Sequence, residues 1–109
     1  MITFDDFKKI EISVGTIKEV KDFPQAHKPA YQLTIDFGAK GIKHSSAQIT
    51  KLYKKDKLIG KQIIAVTNFP VKQIANFNSE CLVLGVVGED SEIILLQPER
   101  KVKEGLPIG

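Results

Sequence analysis

The chain has 109 residues, of which 42% are apolar and 27% are charged. This length corresponds to one domain over residues 1–109, and this composition excludes disordered and collagen-like chains. Cys81 is the only cysteine and the two histidines lie far apart, so we expect no disulfide framework, no metal site and no cofactor. No apolar run is long enough to span a bilayer, and acidic residues stand where a signal peptide carries basic ones. We therefore expect a cytoplasmic protein with no membrane partner.

Charge is distributed unevenly along the chain. Residues 1–61 contain 12 lysines and 7 acidic residues, a balance of +5, whereas residues 62–109 have a balance of −2. A basic half in a small chain is typical of a protein that binds a polyanion, although a lysine-rich solvated surface explains it equally well. Arg100 is the only arginine. Lysine contacts phosphate as a point charge, so a nucleic acid would be recognised by its backbone and shape more than by its bases.

The chain begins with a short predicted helix and continues as strands. Thr3 can cap a helix over residues 3–10, which forms an N-terminal extension, with Asp5 and Asp6 in its first turn. We place a bulge or bend at Gly15, a second short helix at 49–53, a loop at 69–78 and an extended tail from residue 97. Alternation and β-branched residues predict strands over residues 12–20, 31–37, 42–48, 62–68, 81–87 and 92–96.

This order of elements predicts the fold class. Five or six short strands with few helices are typical of an all-β barrel or sandwich. A helix between the third and fourth strands is the usual arrangement of the OB-fold, a five-stranded Greek-key barrel that binds oligonucleotides. We therefore expect an OB-fold with short helices and terminal extensions; an SH3-like barrel or a small sandwich has a similar pattern.

Residues that suggest catalysis are isolated from one another. Nothing in the sequence brings Asp36 and Glu80 together as an acid pair, and the serines lack the context of a nucleophile elbow. Cys81 begins an apolar strand, which favours a buried structural thiol. Residues 38–41 resemble a hairpin turn rather than a phosphate-binding loop. We therefore expect no enzymatic activity.

Two segments carry groups that can bind a ligand. Residues 43–51 are dense in hydroxyl, amide and ammonium groups, which contact phosphate and sugar oxygens, although a polar edge strand has the same composition. Residues 68–72 follow a buried strand, where loops commonly present binding groups. The candidate RNA-binding residues are Lys43, Ser45, Gln48, Lys61, Asn68, Lys72 and Ser79. An apolar groove for peptides would instead be lined by Phe69, Ile74 and Phe77.

Several short motifs in order resemble the structure-specific tRNA-binding domain. They are residues 14–17 (VGTI), 35–38 (IDFG), 45–49 (SSAQI), 60–66 (GKQIIAV), 68–70 (NFP) and 79–80 (SE). The resemblance covers nearly the whole chain and is closest to free-standing members described as export-related chaperones. It implies a homodimeric OB-fold that binds tRNA by shape, and it places Asn68, Lys72 and Ser79 in the tRNA-contact region. Ser13 stands where the family often has arginine, and Leu82 where it often has methionine.

The leading hypothesis is a non-catalytic homodimer that binds tRNA or other structured RNA on one lysine- and hydroxyl-bearing wall. The N-terminal helix, with Phe4 and Phe7, and the C-terminal tail would form the dimer. A chaperone activity in protein export would be a further role. The alternative is a peptide-binding chaperone that takes unfolded or preprotein segments in an apolar groove. A structural dimer without either ligand is the third hypothesis.

Overall fold

The computed structural model describes residues 1–109 and consists mainly of β-strands. Its two helices are short, and neither is long or apolar enough to cross a bilayer. The helices are α1 (Phe4–Lys8) and α2 (Lys55–Leu58). The strands are β1 (Ile12–Asp22), β2 (Tyr31–Asp36), β3 (Ile42–Ala47), β4 (Gln62–Val66), β5 (Lys72–Ile74), β6 (Phe77–Ser79), β7 (Leu82–Val83), β8 (Gly85–Val87) and β9 (Ile93–Leu95).

Five strands form one antiparallel sheet in the order β3-β2-β1-β4-β7, which curls into a nearly closed barrel. The long strand β1 belongs to both halves of the barrel, because its first half pairs with β4 and its second half pairs with β2. The remaining strands form two separate hairpins, β5–β6 and β8–β9. The all-β class and the five-stranded barrel are therefore confirmed.

The core lies inside the barrel and follows the alternation of its strands. In β2, buried and half-buried residues alternate regularly, and Leu33 and Ile35 are completely buried. Leu58 of α2 is also completely buried and belongs to the same apolar cluster. Each fully buried side chain of this size stabilises the fold by roughly 1.5–3 kcal/mol relative to exposure.

Gly15 has a different role from the predicted one. The bulge lies between Ile17 and Glu19, where the register of β1 with β2 shifts, while Gly15 pairs regularly with Ile63. A Cβ atom at position 15 would lie 2.5 Å from Cγ2 of Ile35 and 2.7 Å from Cε1 of Phe37. Glycine is therefore required because the backbone of β1 passes directly over core side chains.

Three other predictions about local structure are wrong. Residues 49–53 form a turn, and the second helix begins later, in the lysine-rich segment of α2. The predicted loop 69–78 contains most of the β5–β6 hairpin. The predicted strand 81–87 is divided at Leu84, whose N–H donates to Ile64 of β4 and whose carbonyl accepts from Leu96. The chain therefore leaves the barrel at Leu84 and continues into a second hairpin.

Both termini lie beside the first half of β1. Thr3 caps α1, since its hydroxyl accepts the N–H of Asp6 at 3.2 Å and the Asp6 carboxylate accepts the N–H of Thr3 at 3.0 Å. The C-terminal tail was predicted to be extended, but bends at residues 99–100 and a turn at residues 104–105 interrupt it. Beyond the turn, Ile108 donates its N–H to the carbonyl of Ile12 at 2.9 Å. The helix and the tail are therefore neighbours at one end of the barrel.

We expect Gly15→Ala to lower the free energy of unfolding by about 1–3 kcal/mol, because the new methyl group must displace Ile35 and Phe37 from a packed core. Urea unfolding of the variant and the parent measures this change. The control is Gly109→Ala, since nothing lies within 4 Å of a Cβ at that position. Equal stability of the two variants would contradict this explanation of Gly15.

Candidate binding groove

A groove of about 600 Å³ separates the β5–β6 hairpin from the end of β3 and from β7 and β8. We call it the hairpin groove. This volume is within the usual range of ligand sites. Its lining is mostly apolar and includes Ile49, Phe69 and Leu82. The polar side chains that line it are Ser46, Gln48, Lys72 and Ser79.

The hairpin groove brings together three of the predicted RNA-binding residues. Lys72 and Ser79 lie directly opposite each other in the β5–β6 hairpin, and Gln48 lies at the end of β3. Lys72 is exposed, its ammonium group makes no hydrogen bond or ion pair, and it is the only charged residue in the lining. These three residues can therefore offer one cation and two neutral polar groups to a ligand.

Ser45 and Asn68 use their polar groups inside the protein. Ser45 is completely buried, and its hydroxyl donates to the carbonyl of Cys81 at 2.9 Å. The Asn68 carbonyl oxygen accepts the N–H of Glu11 at 2.9 Å, and its amide NH₂ donates to Lys9 at 2.8 Å. Ser45 therefore connects β3 to residue 81, and Asn68 holds the N-terminal segment against the end of β4. Both side chains have a structural role, and neither lines the groove.

Lys43 and Lys61 lie outside the hairpin groove. Lys43 pairs with Ile35 across β2 and β3, so it is on the same face of β3 as the buried Ser45. Lys61 comes directly before β4 and is not among the residues that line the groove. Of the seven residues expected on a single wall, Gln48, Lys72 and Ser79 therefore line the hairpin groove and the other four do not.

Two of the three predicted peptide-binding residues line the groove. Phe69 is 52% exposed, and Ile74 is half-buried in the β5–β6 hairpin. Phe77 instead packs against Phe23, with ring centroids 5.4 Å apart, and lies perpendicular to the His44 ring, with centroids 6.3 Å apart. Phe77 therefore fixes the hairpin to the neighbouring loop and is not in the lining.

The hairpin is tied to the barrel along a seam between β3 and residues 79–81. The N–H of Glu80 donates to the carbonyl of His44 at 2.7 Å, and the Glu80 carboxylate accepts the His44 N–H at 2.8 Å. The same carboxylate lies 3.0 Å from Nδ1 of the His44 ring. The Ser79 hydroxyl accepts the N–H of Ser46 at 3.0 Å. Where the barrel closes, side-chain hydrogen bonds therefore take the place of most of the main-chain hydrogen bonds that a regular pair of strands would form.

Two ionisable groups at the seam have shifted pKa values. Partial burial raises the pKa of Glu80, but the hydrogen bonds from the His44 backbone and ring outweigh it, so the net pKa lies below the ordinary 4.5. Burial raises the pKa of the Cys81 thiol to about 11, although Ser45 opposes this shift. The thiol therefore stays protonated at neutral pH, as expected of a buried structural cysteine.

Comparisons with known proteins agree with this geometry. The model of the putative tRNA binding domain matches residues 12–107. The chain belongs to this family. The structure is also similar to the chaperone CsaA of Bacillus anthracis (TM-score 0.96, 48% identity) and to the CsaA chaperone protein of Picrophilus torridus (0.94, 59%). These two alignments cover 100% of this chain and 99% and 100% of the other chains.

The tRNA-binding domain also occurs in much longer relatives. The chain is 35% identical over 108 residues to the methionine–tRNA ligase of Pyrococcus horikoshii, which covers 98% of this chain but only 14% of the ligase. It therefore corresponds to a small part of the ligase. Family membership supports tRNA as a partner and points to a binding domain without catalysis. The resemblance to the tRNA-binding domain that the sequence predicts is confirmed.

The structure shows what surrounds Ser13 and Leu82, the two residues that depart from the family pattern. Ser13 is completely buried, and the Lys40 ammonium donates to its hydroxyl at 2.6 Å while lying 3.5 Å from the Glu11 carboxylate. A lysine from another element thus supplies the positive charge near the position where the family often has arginine. Leu82 lines the hairpin groove and is 47% exposed, so this replacement changes the groove surface itself.

Sequence analysis missed other residues of the groove. The sequence places Ser46 only in a polar strand, and Gly85 and Val87 only in the apolar strand predicted over residues 81–87, whereas all three line the groove. The nearly continuous apolar run over residues 81–87 gives no sign that the chain leaves the barrel at Leu84. A signal is present at Leu82, because the family often has methionine at that position.

We expect Glu80→Gln to lower the free energy of unfolding at pH 7, because the neutral side chain accepts the His44 hydrogen bonds more weakly. Since the folded pKa of Glu80 is lowered, its contribution is complete above about pH 4.5 and is lost as the pH falls through the folded value. Urea unfolding at pH 7 and at successively lower pH therefore shows a difference between parent and variant that shrinks as the pH falls below about 4.5. Glu89→Gln is the control, since that carboxylate makes no hydrogen bond, and a pH-independent difference for Glu80→Gln would contradict the assignment.

Proposed function

We propose that this protein binds tRNA or similarly structured RNA without chemistry, as a cytoplasmic homodimer that recognises shape and phosphate. The observation that supports it best is the match to the tRNA-binding domain together with a groove that presents Gln48, Lys72 and Ser79. OB-folds bind oligonucleotides on this kind of surface, beside the loops that join their strands. Lys43 lies near the other end of β3 and supplies a phosphate contact beyond the groove.

We expect Lys72→Glu to weaken tRNA binding about tenfold, because it removes a charged contact from the centre of the site. The slope of log affinity against log salt concentration should also fall by about one for the lost phosphate contact. Filter binding of labelled tRNA at several salt concentrations measures both quantities.

The matched control for this prediction is Lys101→Glu. It makes the same charge change beside Val102, whose backbone is bonded to Gln62 at the start of β4, away from the groove. Equal losses for the two variants would show that tRNA does not use the hairpin groove, and no affinity of the parent at low salt would overturn the RNA function itself.

The homodimer is supported by apolar side chains left exposed at the termini. Phe4 is 72% exposed on α1, and Leu106 and Ile108 are exposed on the tail. A cleft of about 400 Å³ lies between the two segments, lined by Phe7, Ile10 and Ile108 among others. A second copy would bury these surfaces, and two grooves on one particle would raise the avidity for a large RNA.

We expect Phe4→Ser to shift the protein from dimer to monomer, because it removes an exposed aromatic side chain from the proposed interface. Size-exclusion chromatography with light scattering at several concentrations measures the mass. Ile59→Ser is the control, since Ile59 is 56% exposed at the end of α2. A monomeric parent, or a dimer that Phe4→Ser leaves intact, would argue against this interface.

A second candidate function is peptide binding by a chaperone, with a role in protein export. The specific observation in its favour is that the lining of the groove is mostly apolar, with Phe69 half exposed within it. The two similar structures named above are of proteins called chaperones. The Lys72→Glu variant also separates the two functions, since a chaperone acting through apolar contacts should still prevent aggregation of an unfolded client after RNA binding is reduced.

A further inference from the structure

We propose that the outer edge of β8 receives an extended peptide segment as an added β-strand in the hairpin groove. This inference rests on the peptide-binding function proposed above and specifies how the peptide is held. Main-chain hydrogen bonds would give affinity regardless of sequence, and the groove would select alternating apolar side chains.

The hydrogen bonds around β8 show which backbone groups face outward. Gly88 donates its N–H to Glu92 at 2.7 Å, and Leu96 donates to the carbonyl of Leu84 at 3.2 Å. Antiparallel pairs alternate between bonded and non-bonded positions, so Val86 bonds to β9, whereas Gly85 and Val87 direct their N–H and carbonyl groups away from it.

The partner strand confirms this alternation. Leu95 lies opposite Gly85, and its N–H points away from β8 to donate to the Tyr53 hydroxyl at 3.0 Å. On β8 the corresponding outward groups are unused, because no backbone hydrogen bond joins Gly85 or Val87 to any other segment. An unpaired edge of this kind is a template for another strand.

The open edge borders the groove. Gly85 and Val87 both line the hairpin groove, and Val87 is 79% exposed. An added strand would lie beside β8 with every second side chain turned into the apolar lining. Ile74, Leu82 and Ile93 are available there for contact.

Charge favours a peptide over RNA as the occupant of this edge. Lys72 is the only cation of the lining and is unpaired, so it can bind one carboxylate. A strand of RNA would bring several phosphates into the same apolar space and has no regular main-chain donors and acceptors to match Gly85 and Val87. The chemistry therefore fits a segment that alternates apolar and polar residues and carries one acidic residue.

Synthetic peptides can test the main-chain contacts directly. The parent probe is a capped peptide of about eight residues that alternates valine and threonine, with one threonine replaced by glutamate. Two further peptides carry N-methyl groups on either the valines or the threonines. Because an added strand presents only alternate N–H groups to β8, one methylated peptide should bind the full-length protein about tenfold more weakly than the other.

Backbone amides of the protein provide the second measurement. Hydrogen exchange at Gly85 and Val87 should be fast in the free protein and slow when the parent peptide is bound, because their N–H groups become bonded. Val87→Pro removes one outward donor, which an edge strand tolerates, and should weaken the peptide about tenfold. Lys72→Gln should weaken the glutamate peptide but not its all-threonine counterpart.

The outcomes separate the mode of binding from the function. If both methylated peptides bind as the parent does, strand addition is overturned while peptide binding stands. If no peptide binds, the second candidate function fails together with this proposal. Slow hydrogen exchange of Gly85 and Val87 in the free protein would show that a second copy already covers the edge. Protection of these amides by oligouridylate instead of peptide would assign the groove to RNA. Either result overturns the proposal.

Discussion

The seam between β3 and residues 79–81 determines both the closure of the barrel and the shape of the groove. At this seam Glu80 and Ser79 bind backbone N–H groups of β3 through their side chains. One main-chain hydrogen bond, from the N–H of Glu80 to the carbonyl of His44, also crosses the seam. Because side chains occupy the seam, the hairpin projects from the barrel and leaves space between itself and β8. The groove is thus a consequence of incomplete main-chain pairing.

The sequence predicted elements whose signal is local and missed those that depend on contacts with other segments. The alternation in β2 and the Thr3 cap are local, and both are confirmed. The β5–β6 hairpin has only three residues in each strand, and its stability comes from the seam and from Phe77 packing on Phe23. A two-stranded hairpin of that length is marginal alone. Neither contact is visible in the residues of the hairpin themselves.

The candidate site was predicted by residue type, which identifies polar groups but not their partners. Ser45 and Ser79 are chemically identical, yet one is sealed inside the barrel and the other faces the groove. Asn68 looked like a binding residue because it ends a strand, while its amide satisfies the backbone of the segment before β1. Burial and hydrogen-bond partners decide between these roles, and both depend on the closed barrel.

The basic first half of the chain does not create a basic wall at the groove. Lys55 pairs with Asp22 at 2.7 Å, and Lys21, Lys40 and Lys9 also have carboxylates within 4.0 Å, which reduces the field available to a ligand. With one free ammonium in the lining, an RNA bound there gains little from counterion release per groove. Recognition must then depend on the fit of a rigid RNA across more than one groove, as a symmetric dimer would provide. The same scarcity of charge leaves the apolar lining available to a peptide, so the two proposed ligands would compete for one surface.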